Sequence, residues 1–382
     1  MWVEQLDNGK YKFFERYKDP YTEKWRRVSL TLGSGSSRAK KEAQKLLDEK
    51  IENILASLQA PDVLFTDVLD EWWGFYQKEI KRSSISSLTG NVDELRSIFA
   101  TNVKIRNIDA RYIQNFLNNL KVTRSKLERF KSILNLSFDY ALSLDYIKDN
   151  SARRAKLPKV VKTIDDYQKT AKKFLEDTEL EKLIKELYRR PNTYRLALLA
   201  EFMAYNGCRI GEAIAIKPEN INFKNKTIDI HGTLDKTVGY TKGEKTTTKT
   251  SASWRTVAMS DKEIDILHKM IDLNELTKNT NPNYVDLGYI FATKNGIPIQ
   301  NNSFNTAIRS ANQRLNIPID KHLTSHIFRH TLVSRLAEYN IPLKAIMQRV
   351  GHSDSKTTLK IYTHVTQKME ANVVKLLNTL SS

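Results

Sequence analysis

The sequence predicts a mainly helical α+β protein with small β-sheets, divided into three domains. Apolar residues recur at helical spacing through most of the chain after residue 60. Strand-like alternation is confined to residues 1–32 and 226–258. A length of 382 residues is enough for two or three domains that each bury a core. The predicted organisation is a sheet-plus-helix domain at 1–58, an all-helical domain at 61–155, a linker at 156–172, and a mixed α/β domain at 173–382.

The first domain is predicted to be a small sheet covered by one helix. Tyr11, Phe13 and Tyr17 fall on one parity of a strand, and basic residues fall on the other. A second strand follows after a turn, and Ser37 is predicted to cap the helix. Thr178 is likewise predicted to cap the first helix of the domain at 173–382. The exposed face would carry lysine, arginine and aromatic side chains, which suits entry into the major groove of DNA; a basic sheet without a ligand is the alternative. The candidate DNA contacts here are Lys12, Arg16, Arg26 and Arg27.

The second domain is predicted to be a bundle of amphipathic helices. One apolar stripe on its first helix is interpreted as core and not as a base-stacking platform; it comprises Val68, Leu69, Trp72, Trp73 and Tyr76. Later helices are predicted over 88–99, 110–120 and 123–144. The first turn of the last one carries Arg124 and Lys126, which would suit phosphate contact through charge and free N–H groups, although a solvated basic face fits equally well.

Charge and cysteine content restrict the class of partner and the compartment. Lysine and arginine number 62 against 44 acidic residues, a net charge of +18 that is spread over every third of the chain. Such a distribution favours a polyanion such as DNA, with a merely basic soluble protein as the alternative. We find no run of eighteen apolar residues and no signal-peptide core, so no membrane partner is expected. The single cysteine, Cys208, fits a reducing cytoplasm.

A stretch near the C-terminus combines side chains that phosphate chemistry uses. His326 and Arg329 are three residues apart and share a helical face. Apolar residues at helical spacing follow as far as a predicted helix end at Gly351, with His352 beside it, and Tyr362 comes ten positions later. Arginine offers a fixed fork to phosphate oxygens, histidine moves protons near neutral pH, and tyrosine can act as a nucleophile.

The same stretch also contains a histidine pair at metal-ligand spacing. His326 and His330 are four residues apart on the predicted helix. However, Ile327 occupies the position at which a zinc protease helix carries its glutamate, so no metal site is predicted. We also find no GxxxxGK[ST] loop for nucleotide phosphates, and no cofactor is expected.

Five separated segments resemble the sequence boxes of the tyrosine recombinases, or phage integrase family. Their order and spacing also match, and the resemblance covers about the last two hundred residues in detail. The segments are CRIGE at 208–212, KTSASWRTV at 249–257, HIFR at 326–329, the Gly-His pair at 351–352, and YTHV at 362–365. The resemblance implies an arm-binding domain at 1–58, a core-binding domain at 61–155 and a catalytic domain at 173–382.

The resemblance also implies a role for each matching residue. Tyr362 would be the nucleophile that forms a 3′-phosphotyrosine, and Lys249 would protonate the leaving 5′ oxygen, with Lys242 and Lys245 as nearby rivals. The other catalytic residues are Arg209 and Arg329 as phosphate clamps, His326 as proton acceptor, and His352 as a hydrogen-bond donor or positioning group. Glu212, three residues beyond Arg209, is expected to pair with it, because a buried arginine without a partner would be costly.

The predicted function is site-specific recombination that integrates and excises a mobile element such as a prophage. The alternatives are relaxation of DNA by a type IB topoisomerase and a non-catalytic DNA-binding regulator on the same scaffold. The implied partners are double-stranded DNA with core-type and arm-type sites, a homotetramer on that DNA, a host DNA-bending protein and an excision factor. The amphipathic segment 369–380 would dock either on a neighbouring protomer or on its own domain.

Overall fold

The computed structural model of the chain divides into two compact units, Met1–Lys159 and Val160–Ser382. It describes residues 1–19, 23–59, 63–99, 101–159, 173–235, 239, 244–246, 254–351, 358–359 and 378. Helices dominate both units, and the sheets are small and antiparallel. The predicted fold class is therefore confirmed. Within the described residues, none of the helices has the length and apolar character needed to cross a membrane.

The first unit begins with a three-stranded antiparallel sheet that packs on one helix. The strands, in spatial order, are β1 Trp2–Gln5, β2 Tyr11–Lys18 and β3 Trp25–Leu32, and the helix is α1 Ser37–Gln59. Alternate residues of a strand face opposite sides of a sheet. One side of this sheet packs against Ala43 and Leu47 of α1 through Phe13 and Val28. This cluster is separate from the helical core that follows it in the chain.

The rest of the first unit is a helical bundle with an aromatic core. Its helices are α2 Phe65–Tyr76, α3 Arg82–Ile98, α4 Ala110–Asn119, α5 Arg124–Ser143 and the short α6 Ser151–Arg154. The predicted stripe on α2 is core, since Trp72 and Trp73 are buried among residues of α3, α4 and α5. Ala152 and Ala155 also join this cluster. The basic stretch after Asn150 therefore begins as a packed helix, and residues 160–172 of the predicted linker lie outside the described residues.

The second unit packs seven helices and two small sheets, among its described residues, around one large core and a smaller cluster that includes Leu332, Ile346 and Val350. The helices are α7 Asp177–Tyr188, α8 Tyr194–Asn206, α9 Ile210–Ala213, α10 Asp261–Thr280, α11 Asn301–Gln313, α12 Ser325–Glu338 and α13 Leu343–Val350. The strands are β4 Ile221–Asn222, β5 Thr227–Ile230, β6 Thr233–Leu234, β7 Lys245–Thr246 and β8 Arg255–Ala258. Strand β5 lies between β4 and β8, and β6 pairs with β7.

Two predicted helix caps are wrong by one or two residues. Helix α1 starts at Ser37 itself, and the capping hydroxyl belongs to Ser36, which accepts the N–H of Ala39 at 3.3 Å. Helix α7 starts at Asp177, ahead of the predicted cap Thr178. The carboxylate of Glu179 reaches back to the N–H of residue 176 at 2.7 Å. An acidic first turn satisfies free N–H groups and favours the positive end of the helix dipole, so it replaces the hydroxyl cap.

The predicted helical scaffold after His326 consists of two helices and not one. Helix α12 ends at Glu338, where Asn340 takes a left-handed φ of 58°. Pro342 then precedes α13, because proline suits the start of a helix and not its interior. The second helix stops at Gly351, with φ 69°, as the sequence predicted.

Candidate active site

A glycine turn at the end of α8 delivers the first arginine of the site. Gly207 closes the helix with φ +80°, a conformation that glycine adopts without penalty. A Cβ at this position would lie 2.7 Å from Leu332 Cδ2 and 3.0 Å from Val350 Cγ1, so α12 and α13 pack directly against the turn. Cys208 is fully buried behind it, and burial raises the pKa of its thiol to about 12. Arg209 follows at the edge of the turn and directly precedes α9.

Glu212 holds Arg209 through both its side chain and its backbone. Glu212 Oε1 accepts from Arg209 Nη1 at 2.7 Å, and Oε2 accepts from the Arg209 N–H at 3.0 Å. The pairing predicted from the sequence is therefore confirmed. Burial acts to raise the pKa of Glu212, but the charges of Arg255 and Arg209 outweigh it and hold the pKa below its ordinary value.

A second arginine, Arg255, shares the same carboxylate, a role that was not predicted from the sequence. Its Nη2 donates to Glu212 Oε2 at 3.1 Å, and its Nε donates to the carbonyl of Arg349 at 2.8 Å. Arg255 is the arginine of the KTSASWRTV segment and the first residue of β8. The resemblance of that segment to a family box was the sequence signal that could have pointed to Arg255. Without the long-range contacts, however, Arg255 is indistinguishable from an ordinary strand residue.

Helix α12 brings the third arginine and the histidine to the same turn. Arg329 is 1 % exposed, and its Nη1 donates to the carbonyl of Gly207 at 2.8 Å. Burial and repulsion from Arg209 lower the pKa of Arg329. Burial, with Arg329 and Arg209 nearby, also lowers the pKa of His326, so its imidazole is neutral at pH 7. The structure thus unites Arg209, His326, Arg329 and Glu212, as predicted.

The chain that leads to His352 joins the same network. The carbonyl of Gly351 accepts from Arg209 Nη2 at 3.3 Å. Just before it in the chain, Arg349 donates to the carbonyls of Tyr205 and Ala258 and pairs with the fully buried Glu263 at 3.2 Å. These bonds tie the end of α13 to the end of α8 and to β8, so the backbone before His352 is fixed beside Arg209.

Three predicted catalytic residues, Lys249, His352 and Tyr362, lie outside the described residues, as do Lys242 and all but residue 378 of the predicted C-terminal helix 369–380. The rival Lys245 lies on β7. Its Nζ is 3.2 Å from His231 Nδ1 and 3.4 Å from Asn220 Oδ1, and burial lowers the pKa of Lys245. Lys245 is thus held beside His231 and Asn220.

The pair His326 and His330 lies in the first two turns of α12. Their ring centroids are 6.4 Å apart, and burial lowers the pKa of His330 to about 4. No cluster of three or more histidine, cysteine or acidic side chains that would hold a metal ion occurs among the described residues. Both histidines line a cavity of about 570 Å³ at the start of α12.

The N-terminal sheet gathers three of its four predicted DNA contacts on one face. The register Phe14↔Ser29 and Arg16↔Arg27 places Lys12, Arg16 and Arg27 together on the face away from α1. Each stacks on an aromatic ring at 5.1–5.5 Å, Lys12 and Arg27 on Phe14, and Arg16 on Trp2. We call this set of basic and aromatic side chains the outer face of the sheet; it also includes Trp25, which is 69 % exposed.

The fourth predicted contact, Arg26, is on the other side of the sheet, because adjacent strand residues face opposite ways. It pairs with Asp19 at 2.7 Å. In the helical bundle, Arg124 pairs with Glu128 at 2.7 Å and Lys126 pairs with Glu94 at 2.5 Å, both partly exposed. These last two side chains are therefore engaged within the protein at the first turn of α5.

Comparison with known proteins identifies the class to which this site belongs. The family model described as "Phage integrase family" matches residues 173–369, more than half of the chain. A probable integrase of prophage ps2 from Lactococcus lactis is 56% identical over 379 residues and covers 99% of both chains. The integrase of Staphylococcus phage L54a is 35% identical over 87% of this chain and 99% of its own.

Solved structures share the fold. The Tn1549 transposon integrase with transposon right end DNA has a TM-score of 0.65 at 16% identity, and covers 82% of this chain and 100% of its own. A lambda integrase dimer bound to a core site has a TM-score of 0.59 at 19% identity, with 94% of each chain covered. The site therefore belongs to a tyrosine recombinase. The chain is a member of the phage integrase family, and the predicted site-specific recombinase function is confirmed.

Proposed function

We propose that this chain integrates and excises a mobile element, such as a prophage, by cleaving and rejoining DNA through Tyr362. Arg209 and Arg329 grip the scissile phosphate, His326 accepts the phenolic proton, and Lys249 protonates the leaving oxygen. His352 hydrogen-bonds the phosphate or positions the tyrosine. Glu212 orients Arg209. The reaction uses no ATP, because the protein–DNA bond retains the energy of the phosphodiester.

The observation that carries this proposal is the convergence of Arg209 and Arg329 on one turn. Arg329 donates to Gly207, two residues before Arg209 in the chain. Glu212 interacts electrostatically with Arg209, Arg255 and Arg329, so three guanidiniums surround one carboxylate. The excess positive charge, partly withdrawn from water, suits a phosphodiester whose negative charge increases in the transition state.

In the proposed cleavage step, His326 accepts one proton and Lys249 donates another. The Tyr362 oxygen forms a bond to phosphorus and gives its proton to His326, while the bond from phosphorus to the 5′ oxygen breaks and that oxygen takes a proton from Lys249. The free tyrosine has a pKa of about 10, so at neutral pH it needs an acceptor or a strong positive field. A neutral His326 beside two guanidiniums supplies both. A 5′ hydroxyl then attacks the phosphotyrosine in the reverse sense and reseals the strand.

The proposed DNA contacts extend beyond the catalytic unit. The outer face of the sheet supports an arm-binding domain at 1–58, and Arg124 and Lys126 are proposed to reach the backbone of the core site from a core-binding domain at 61–155. The linker at 156–172 and the catalytic domain at 173–382 complete the organisation. Lambda integrase forms a tetramer on a Holliday junction, and we propose the same stoichiometry here. A host DNA-bending protein, an excision factor and a bacterial cytoplasmic location complete the proposal.

The decisive experiment traps the covalent intermediate. Duplexes selected from a random library by the full-length protein are nicked near the cleavage point, so that the released fragment diffuses away. We expect an adduct that maps to Tyr362 by mass spectrometry and is lost in Tyr362→Phe. The matched control is Tyr339→Phe, because Tyr339 is 79 % exposed at the end of α12. An adduct on another residue, or its persistence in Tyr362→Phe, would refute the assignment of the nucleophile.

A modified substrate separates Lys249 from Lys245. Replacing the bridging 5′ oxygen with sulphur gives a leaving group that needs no protonation. Lys249→Ala is expected to cleave the normal duplex at least about 10²-fold more slowly and to recover on the sulphur substrate. Lys245→Ala is expected to show no such selective recovery, because its ammonium lies against His231. Selective recovery by Lys245→Ala instead would transfer the acid role to that residue.

Strand exchange distinguishes recombination from relaxation alone. Two marked duplexes that carry the selected site are incubated with the protein. We expect crossed products that contain both labels. Relaxation of a supercoiled plasmid without crossed products would favour the topoisomerase alternative.

A further inference from the structure

We propose that Arg255 is a positioning residue for catalysis: through Glu212 it fixes the phosphate-binding arginine Arg209 and locks the end of α13, from which His352 follows. This inference rests on the proposed function of the same site. Its basis is the pair of bonds from Arg255, 3.1 Å to Glu212 Oε2 and 2.8 Å to the carbonyl of Arg349.

Exposure separates the roles of the two arginines. The side chain of Arg209 is 37% exposed, whereas those of Arg255 and Glu212 are 7% and 4% exposed. Glu212 therefore has Arg209 on its open side and Arg255 on its buried side. The guanidinium of Arg255 donates to a carboxylate on one side and to a backbone carbonyl on the other, so it is placed to orient these two neighbours. Of the two arginines that bind Glu212, Arg209 is the more accessible to a phosphate.

The position of Arg255 in the chain allows it to connect segments that are distant in sequence. It is the first residue of β8, the strand that follows the Lys249 segment directly. Its carbonyl partner, Arg349, lies in the last turn of α13, two residues before Gly351, whose carbonyl accepts from Arg209. A closed circuit of hydrogen bonds thus runs from Arg209 through Glu212 and Arg255 to the end of α13 and back. One side chain couples three segments that carry predicted catalytic residues.

Geometry and charge both require an arginine at this position. Two separate N–H groups donate in different directions, one to Glu212 and one to Arg349. A lysine keeps the charge but offers no rigid fork, so it is not expected to hold both partners in register. Without the positive charge of Arg255, the buried carboxylate of Glu212 has less opposite charge around it. The carboxylate is then more readily protonated and holds Arg209 less firmly.

The first test compares Arg255→Gln and Arg255→Lys in the full-length protein, with single-turnover cleavage of the selected nicked duplex at saturating DNA. We expect a rate loss of about 10- to 100-fold for Arg255→Gln, the scale of a 1 Å misplacement, with partial recovery in Arg255→Lys. DNA affinity should change by less than the rate. Wild-type rates in both variants would overturn the proposal.

The second test is a double-mutant cycle with Glu212→Gln. If Arg255 acts through Glu212, its removal should cost little once Glu212 has lost its charge, so the two losses should be strongly non-additive. Fully additive losses would overturn the proposal. The matched control is Arg195→Gln, because Arg195 is also largely buried and bonds to Asn274 and Thr277, but lies in the first turn of α8, the opposite end from Arg209. This control should lower stability while leaving the rate per folded molecule unchanged.

A pH profile separates positioning from loss of folding. The charged and titratable groups that face Glu212 are Arg209, Arg255, Arg329, His326 and Cys208. The charge of Arg255 does most to lower the pKa of Glu212. Removing Arg255 should therefore raise this pKa. Protonation would then release Arg209 at higher pH.

The acid limb of the rate profile in Arg255→Gln should therefore move upward by about one pH unit or more, and this move should be absent in the Glu212→Gln background. An unchanged limb together with a slower rate would overturn the proposal. If wild-type protein forms no Tyr362 adduct, the proposed function fails. If the adduct forms but the Arg255 variants cleave normally, only this inference fails.

Discussion

The outer face of the N-terminal sheet and the Arg209 turn are both built from cations, but they hold them differently. On the sheet, Lys12, Arg16 and Arg27 lie over aromatic rings on a surface open to solvent. At the turn, Arg329 is 1 % exposed and Arg209 is clamped by a buried carboxylate. Exposed charges bind a polyanion by releasing its counterions, whereas enclosed ones hold a single geometry. The first arrangement therefore suits affinity and the second suits catalysis.

The strongest test of this contrast removes one guanidinium from each region. Arg329→Ala is expected to slow single-turnover cleavage by about 10²- to 10³-fold, the scale for one oxyanion donor, because the pre-set geometry at Gly207 is lost. Arg16→Ala should leave the rate at saturating DNA within about 2-fold and weaken binding only. Comparable rate losses in the two variants would remove the distinction.

Stability at mildly acidic pH probes the enclosed region through the two histidines of α12. Burial lowers the pKa of both His326 and His330 in the folded protein, the latter to about 4. In the unfolded chain these histidines take up protons near pH 6.5, whereas in the folded protein they do so only at lower pH. Stability is therefore retained above pH 6.5 and falls as the pH drops below it. His330 contributes up to about 1.4 kcal/mol per pH unit, and His326, which is more exposed to solvent, contributes less.

We expect His330→Gln to flatten the fall in unfolding free energy between pH 6.5 and 4, measured by denaturant titration. His268→Gln is the control, since His268 lies on α10 and stacks on Phe223. An identical pH dependence in wild type and His330→Gln would contradict the assignment of this effect to His330.

The turn that carries Arg209 tolerates no side chain at its glycine. Gly207→Ala combines a left-handed φ of +80° with a 2.7 Å approach to Leu332. We expect a loss of about 2 kcal/mol or more of stability in the second unit, accompanied by slower cleavage because Arg329 is anchored to the same residue. Gly90→Ala is the control: no atom lies within 4 Å of its Cβ, and it should stabilise α3 by about 0.5–1 kcal/mol. Equal effects in the two variants would contradict the close packing.

The smallest effect is expected on the sheet, where each cation acts almost independently. Replacing Lys12, Arg16 and Arg27 together by alanine should reduce the slope of log affinity against log salt for arm-type DNA by about 3, close to one for each phosphate that is no longer neutralised. Arg26→Ala should change the slope little, because Arg26 faces the other way and pairs with Asp19. A larger change for Arg26→Ala than for Arg16→Ala would reverse the assignment of the DNA-binding face.

The elements of the fold followed from local patterns, and so did part of the site. The stripe on α2 and the span of α5 depend on 3.6-residue periodicity, which the sequence displays directly. The pairing of Glu212 with Arg209 was likewise predictable, since residues three apart on a helix are neighbours. The sequence could also have shown that Arg26 and Arg27 face opposite sides of the sheet, because two adjacent strand residues do not share a face.

Other features depend on contacts that the sequence does not display. Arg255 meets Glu212 across 43 positions and Arg349 across 94, and only the assembled fold brings them together. The break between α12 and α13 was not predicted, because the helical spacing of apolar residues continues across Asn340 and Pro342. In the structure Asn340 has a left-handed φ, which interrupts the helix. The caps at Ser36 and Glu176 differ from the predicted Ser37 and Thr178 because neighbouring polar residues compete for the same free N–H groups.

The isolation of Cys208 has a practical consequence for observing the reaction. It is the only thiol in the chain, and its burial and raised pKa keep it from reacting with maleimide dyes in the native protein. A cysteine placed at an exposed position such as Leu276, which is 62 % exposed on α10, would therefore take a fluorophore at a single known point. Synapsis and strand transfer then become visible one molecule at a time without first removing a native thiol.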